Sequence, residues 1–107
     1  MERAKRFYGE TLGLPANPRA NPVFPEFETG NVTIVLVDPE TIGIEFSPNR
    51  NGFALRVPDV EAARARLEAG GVEFAAETYD SGVCHMAFFA DPDGNALLLH
   101  RRYAPYE

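Results

Sequence analysis

Uncharged apolar residues are concentrated in two runs near the end of the chain, on either side of a turn. Met86-Ala87-Phe88-Phe89 and Ala96-Leu97-Leu98-Leu99 carry no charge, and Asp91-Pro92-Asp93-Gly94-Asn95 stands between them. Pro92 suits the second position of a tight turn, and Gly94 can adopt the positive φ that a chain reversal requires. The pattern predicts a β-hairpin with neither face directed to water.

Helical spacing of apolar and charged residues marks two other segments. The spacing predicts a helix over Met1–Leu12, ended by Gly13, and a second helix over Val60–Ala69, ended by Gly70-Gly71. Asp59 precedes the second helix and is predicted to be its N-cap. These helices are expected to cover the sheet that contains the hairpin.

Short apolar runs between turn residues predict further strands at residues 24–28, 32–37, 53–58 and 72–78. The run VTIVLV at 32–37 is almost entirely apolar and is therefore predicted to be buried on both faces. Residues 41–50 are predicted to be an irregular connection, with an extended piece around 42–46. Residues 101–107 are predicted to be a polar tail.

The order of elements suggests an internal repeat of strand, helix and three strands. Glu2 aligns with Glu61 and Ala4 with Ala63 when the two helices are superposed by residue type. We interpret the chain as a single domain, 1–107, with a first module at about 1–50 and a second at about 51–103.

The first module has no counterpart of the strand that opens the second, so its first strand is predicted to be missing from this chain. A sheet without that strand presents unpaired backbone groups, which predicts self-association as a homodimer. A start placed at an internal methionine would give the same pattern.

Composition restricts the partners and the compartment. Ten Lys and Arg residues against sixteen Asp and Glu give a net charge of −6, which disfavours nucleic acid and anionic membranes as partners. Cys84 is the single cysteine and cannot form an internal disulfide, so a cytoplasmic location is expected. The sequence contains neither a signal-peptide pattern nor an apolar run long enough to cross a bilayer.

Three groups of residues resemble a known family in order and spacing. They are Ala4–Tyr8 with Leu12-Gly13-Leu14, Arg56–Val60 with Gly70-Gly71-Val72, and Ala87-Phe88-Phe89 with Asp91–Asn95. Together they resemble the vicinal oxygen chelate superfamily, also called the glyoxalase/bleomycin resistance protein/dioxygenase superfamily. The resemblance implies an α+β fold in which two βαβββ modules form an open, cupped barrel with helices outside. Members include lyases, isomerases, dioxygenases and proteins that only bind antibiotics, so the fold leaves the function open.

The resemblance also implies where a metal would be bound. Of the family's four ligand positions, the first lies on the missing strand, and the others fall near Val35, at Phe53 and at Leu98. None of these side chains offers a nitrogen, oxygen or sulfur donor. We therefore expect no metal and no cofactor.

Strand alternation extends the implied ligand positions to a predicted cup lining. If Phe88 lies opposite Leu98 across the turn, Met86 lies opposite His100, and Cys84 shares their face. The predicted ligand-binding residues are Phe53, Leu55, Cys84, Met86, Phe88, Leu98 and His100.

Three polar or charged positions lie on or near this lining. His100 is either a general base or ligand-orienting donor, or a half-exposed histidine at a strand end. Cys84 and His85 are neighbours and should point to opposite faces, which disfavours a thiolate–imidazole pair. Arg56 is predicted on the face opposite Phe53 and Leu55, toward the helix or the strand end.

Three hypotheses of function follow. The first is a metal-free member of the superfamily that binds a small, partly apolar molecule in the cup. The second is a metal-dependent lyase or dioxygenase whose ligands are displaced or supplied by another chain, so enzymatic activity is left open. The third is a structural dimer with a filled cup.

Overall fold

Helices and sheets are combined in each half of the chain, which confirms the predicted α+β class. The computed structural model describes residues 1–105, so the last two residues of the predicted polar tail lie outside the described part. The chain divides between Pro48 and Asn49 into two units.

The first unit begins with the predicted helix. Helix α1 covers Glu2–Arg6 and continues as a π-helical segment over Phe7–Thr11, and Gly13 follows with a φ of 73°. Strands β1 (Glu26–Glu28) and β2 (Thr33–Val35) then pair antiparallel.

Aromatic side chains form the core of this unit. The rings of Phe7 and Tyr8 have centroids 5.3 Å apart, and those of Tyr8 and Phe27 lie 6.2 Å apart. All three residues are buried, as are Leu12 and Leu36. The core therefore joins the helix to β1.

The prediction that residues 32–37 form a strand buried on both faces is wrong. Strand β2 is limited to Thr33–Val35, and Val32, Val35 and Val37 are 59%, 47% and 42% exposed. In the described residues β2 belongs to a two-stranded sheet, so β1 is its single paired neighbour. A strand paired on one side has no flanking layer of strands to bury such a run.

The extended piece expected around 42–46 is also absent. A 3-10 turn covers Pro39–Ile42. After it, Ile44 is 57% exposed and Phe46 is 50% exposed. Asp38 caps this turn by accepting a hydrogen bond from the backbone N–H of Glu40 at 3.1 Å. The local cap favours a helical turn over an extended strand.

The second unit has the order strand, helix, three strands. Its elements are β3 (Phe53–Arg56), α2 (Val60–Ala69), β4 (Tyr79–Asp80), β5 (Cys84–Ala90) and β6 (Ala96–Arg102). The four strands form one sheet in the order β3-β6-β5-β4, with β3 parallel to β6 and the other pairs antiparallel. Helix α2 has its predicted bounds, and Asp59 Oδ1 accepts a hydrogen bond from the Ala62 N–H at 3.0 Å, which confirms the predicted cap.

The strand predicted at 72–78 is reduced to one bridge between Phe74 and Phe89. Side chains of α2 hold this segment instead. The Arg64 guanidinium lies 4.7 Å from the centre of the Phe74 ring and donates to Thr78 Oγ1 at 3.2 Å. These contacts supplement the short backbone pairing with β5, in which the Ala75 N–H donates to the Phe88 carbonyl oxygen at 2.9 Å.

The predicted hairpin forms as β5 and β6, but the expectation that neither of its faces meets water is wrong, since Phe88 is 42% exposed. A buried carboxylate organises its turn. Asp91 Oδ1 accepts from the N–H groups of Asp93 and Asn95, both at 2.9 Å, and Gly94 has a φ of 88°. Asn95 Oδ1 in turn accepts from the N–H of Asn49 at 2.8 Å. The turn therefore also fixes the loop that leads into β3.

One face of the four-stranded sheet is covered by α2. Ala87, Phe89, Leu97 and Leu99 are all at most 5% exposed. The Phe89 ring lies 5.1 Å from the Phe74 ring, on which Arg64 of α2 is stacked. We call this the helix face.

Candidate functional site

The residues that alternate with the helix face form the opposite surface of the sheet, which we call the open face. Phe88 lies opposite Leu98, and Met86 lies opposite His100, as predicted. Phe88 is 42% exposed, and Leu98 and His100 are half-buried. The strand residues of this face are Ala54, Arg56, Tyr79, Cys84, Met86, Phe88, Ala90, Ala96, Leu98, His100 and Arg102.

The prediction that Phe53 and Leu55 share a face with Leu98 is wrong. In the parallel pairing of β3 with β6, Phe53 lies beside Leu97 and Leu55 beside Leu99, on the helix face. Paired residues in adjacent strands point to the same side of a sheet.

Ala54 and Arg56 take the places predicted for those two residues. Ala54 is level with Leu98, and Arg56 is level with His100. Arg56 lies on the side of β3 opposite Phe53 and Leu55 and at the strand end, as predicted, but this side is the open face and not the side toward the helix. The sequence missed this because alternation separates Arg56 from Phe53 and Leu55 but does not give the register between β3 and β6, which decides which side shares the face of Leu98.

A cavity of about 540 Å³ lies near the turn of the hairpin, and its lining combines Phe88 and Leu98 of the open face with Phe89 and Leu97, which alternate with them. Its volume is within the range of about 300–1,000 Å³ found for small-molecule sites. Its lining residues are Arg50, Gly52, Glu73, Phe74, Ala75, Phe88, Phe89, Ala90, Gly94, Ala96, Leu97 and Leu98.

The cavity contains only part of the predicted lining. Phe88 and Leu98 belong to it, whereas Phe53, Leu55, Cys84, Met86 and His100 do not. Met86 and His100 continue the same face beyond the cavity, since they are two residues further along their strands. The predicted site is thus a strip of sheet of which one end, at Phe88 and Leu98, lines the cavity.

Small residues surround the exposed Phe88 ring. The paired residues Ala90 and Ala96 lie two positions closer to the turn than Phe88 and Leu98. Ala54 of β3 is paired with Leu98. The Gly52 backbone approaches Ala96 so closely that an added Cβ would lie 3.3 Å from the Ala96 Cβ. These short side chains leave room for a molecule to lie against Phe88.

The cavity rim includes residues that periodicity did not single out. Arg50 and Glu73 supply opposite charges, and Phe74, whose ring packs against Phe89 on the helix face, also borders the cavity. Arg50 and Glu73 lie outside strands and helices, where strand alternation makes no prediction. The NG pair at Asn51-Gly52, which marks a turn beside β3, was the available signal for this edge.

Cys84 and His85 point to opposite faces, as predicted. Cys84 is 8% exposed, and its N–H donates to Ser81 Oγ at 3.0 Å. His85 lies instead beside Tyr103, with ring centroids 4.7 Å apart, and its Nε2 is 3.5 Å from Asp80 Oδ2. The histidine is therefore engaged away from the thiol.

Asp80 and Tyr103 perturb each other's titration. Asp80 accepts hydrogen bonds from the Gly82 N–H and from the Tyr103 hydroxyl, each at 2.8 Å, and both lower the pKa of its carboxyl. The bond to Asp80 raises the pKa of the Tyr103 hydroxyl. This cluster belongs to the side of the sheet opposite Met86 and His100.

The chain matches the model of the Glyoxalase/Bleomycin resistance protein/Dioxygenase superfamily over residues 1–99 and belongs to that superfamily. No curated protein matches it significantly. In the described residues, no helix is long and apolar enough to cross a membrane.

Several solved structures are similar to the chain, and some of them are described as members of the same superfamily. TnmS3, an antibiotic binding protein from Streptomyces sp. CB03234, is 31% identical with a TM-score of 0.77, covering 94% of this chain and 85% of its own. A glyoxalase/bleomycin resistance protein from the same organism is 31% identical with a TM-score of 0.74, covering 94% and 90%. A superfamily member from Sphaerobacter thermophilus DSM 20745 is 25% identical with a TM-score of 0.77, covering 92% and 86%.

The residues present do not fit the metal that the family resemblance implies. Val35, Phe53 and Leu98 lack donor atoms, and Phe53 points to the helix face. Ala54, which is level with Leu98, has no donor either. Within residues 1–105, no three His, Cys, Asp or Glu side chains are grouped so that they could hold a metal ion.

Proposed function

We propose that this protein binds a small, mostly apolar organic molecule on the open face of its four-stranded sheet. The observation that carries the proposal is the half-exposed Phe88 ring in a cavity of about 540 Å³. Burying an exposed aromatic ring against a ligand is favourable by roughly 25 cal/mol per Å² of apolar surface removed from water. The molecule is held without a metal, because the implied ligand positions have no donor atoms.

The antibiotic-binding relative makes natural-product antibiotics the first ligands to test. A ligand selective for the native state raises its stability by about 2.7 kcal/mol at a concentration one hundred times Kd. We expect a thermal-shift screen of such compounds to raise the Tm of the protein in a dose-dependent manner. Compounds recovered unchanged after incubation would support binding over turnover. A complete absence of ligands in a broad screen would favour the alternative of a structural protein.

Metal analysis of the purified protein distinguishes metal-free binding from the alternative of a metal-dependent lyase or dioxygenase. Protein purified without chelators is expected to contain less than stoichiometric zinc, nickel or iron, and added metal is not expected to change the Tm. Stoichiometric metal retained through gel filtration would support the enzyme alternative, with donors supplied by a second chain.

We also infer that the first unit associates with a second copy of this chain. Val32, Val35, Ile44 and Phe46 are each between 47% and 59% exposed, and β2 belongs to a two-stranded sheet. Exposed apolar groups beside an unpaired strand edge favour pairing with another chain. Light scattering is expected to give a dimer mass at micromolar concentration.

Val35→Glu is expected to shift the protein toward monomer. Val83→Glu is the matched control, since Val83 is a similarly exposed valine in the second unit, at 39% against 47%. A stable monomer at micromolar concentration, or the same effect from both variants, would contradict self-association through the first unit.

A further inference from the structure

A row of side chains crosses the open face at the level of Arg56. Tyr79 is paired with Met86, Met86 with His100, and Arg56 with His100, so the row includes all four strands. Arg56 and Tyr79 are exposed and His100 is half-buried. Since this level lies two residues from that of Ala54 and Leu98, it is about 6.6 Å farther along the strands.

The charge of the open face has the opposite sign to that of the protein. The chain has sixteen acidic against ten Lys and Arg residues. The strand positions of this face nevertheless include Arg56 and Arg102 and neither Asp nor Glu. Arg50 and Glu73 at the cavity rim contribute opposite charges that offset each other.

The two arginines are not equally available to a ligand. Arg102 donates to the carbonyl oxygen of Pro105 at 3.0 Å. Arg56 forms no ion pair or side-chain hydrogen bond with another residue in the range 1–105. An exposed guanidinium bordered by apolar side chains is suited to a bidentate bond with an oxyanion.

We propose that the ligand is a flat, mostly apolar molecule with one oxyanion group, such as a carboxylate or sulfonate. Its ring system lies against Phe88, and its anion binds the Arg56 guanidinium, with His100 beside it. This inference rests on the proposed function and adds the ligand's charge. Cationic molecules are disfavoured, because the described strand positions of the open face include no carboxylate, and Arg50 offsets the charge of Glu73 at the cavity rim.

Two probes with the same ring skeleton test the charge requirement. 8-Anilino-1-naphthalenesulfonate carries a sulfonate, and N-phenyl-1-naphthylamine is its neutral counterpart. The sulfonate is expected to bind about tenfold more tightly, with a Kd that rises with salt. Arg56→Gln is expected to remove that advantage and leave the affinity for the neutral probe within about twofold, while Arg56→Lys keeps part of it.

Arg101→Gln is the matched control, since Arg101 is an exposed arginine beside His85 on the opposite face. It is expected to change the Kd of neither probe. If Arg56→Gln and Arg101→Gln have the same effect on the sulfonate probe, the inference is overturned.

The variant Phe88→Ser distinguishes failure of the anion requirement from failure of the proposed ligand binding itself. It is expected to weaken both probes. If it does, while Arg56→Gln has no effect, the open face binds ligands without selecting for an anion. If Phe88→Ser weakens neither probe, or if neither probe binds the parent protein, both the proposed function and the inference are contradicted.

Discussion

The two faces of the four-stranded sheet are built from the same strands and have similar residues, yet they differ in packing. Leu97 and Leu99 on the helix face are 1% and 2% exposed, whereas Leu98 between them is half-buried. Phe89 is 5% exposed and its neighbour Phe88 is 42% exposed. An apolar strand face is therefore core or binding surface according to the layer that covers it, and its composition alone does not distinguish the two.

The largest expected difference between the faces is in the cost of truncating a leucine. Leu97→Ala should reduce the free energy of unfolding by about 2–5 kcal/mol, because it leaves a cavity under α2. Leu98→Ala should cost less than about 1.5 kcal/mol, since the side chain is already in contact with water. Urea denaturation of both variants measures the difference. Equal losses would show that the open face is packed as core.

A second prediction concerns the turn that supports both faces. Asp91→Ala removes a buried carboxylate that accepts two backbone hydrogen bonds and one from Asn95 Nδ2, and should cost about 1–3 kcal/mol. Ligand affinity should also fall, because Asn95 fixes the loop at Asn49 beside the cavity. Asp59→Ala is the control: it loses an exposed helix cap worth about 1 kcal/mol and should leave affinity unchanged. An Asp91 variant with parent-like affinity would contradict the role of the turn in shaping the site.

The smallest effect is expected from the Asp80–Tyr103 pair and should appear as pH dependence. Since the folded protein lowers the pKa of Asp80, the contribution of this carboxylate is present above its ordinary value of 3.8 and is lost as pH falls through the lowered value. The raised pKa of Tyr103 has the converse effect: its contribution is present below 10.0 and is lost as pH rises through the raised value. Tyr103→Phe should therefore flatten the alkaline limb of a plot of Tm against pH.

The same variant, Tyr103→Phe, is expected to change the pH dependence of stability without changing ligand binding. Because Asp80 and Tyr103 belong to the side opposite the open face, Tyr103→Phe should leave ligand affinity at neutral pH unchanged. An alkaline limb identical to that of the parent would contradict the assigned hydrogen bond. A loss of affinity would contradict the separation of the two faces.

The sequence predicted correctly those elements whose ends or turns are marked by specific residues. Helix α2 has its predicted bounds because Asp59 and the pair Gly70-Gly71 mark both ends. The hairpin pairing was predictable because the turn at Asp91–Asn95 sets which residues of β5 and β6 are opposite.

Two failures have a common physical cause. Alternation correctly placed Phe53 and Leu55 on one side of β3 and Arg56 on the other, but it does not show which side β3 shares with Leu98 of β6. The run at 32–37 is apolar except for Thr33, and its apolarity predicts burial, whereas Val32 and Val35 are exposed. In both places the pattern gives hydrophobicity but not the layer that would cover it.

The central claim is that the open face, and not the helix face, binds the ligand. Phe88 and Phe53 provide a matched test, since they are 42% and 39% exposed and belong to opposite faces. Isothermal titration with a ligand from the thermal-shift screen should give a Kd at least about tenfold weaker for Phe88→Ser, from loss of aromatic contact. Phe53→Ser should bind as the parent does. Equal affinities for the two variants, or a loss confined to Phe53→Ser, would contradict the account.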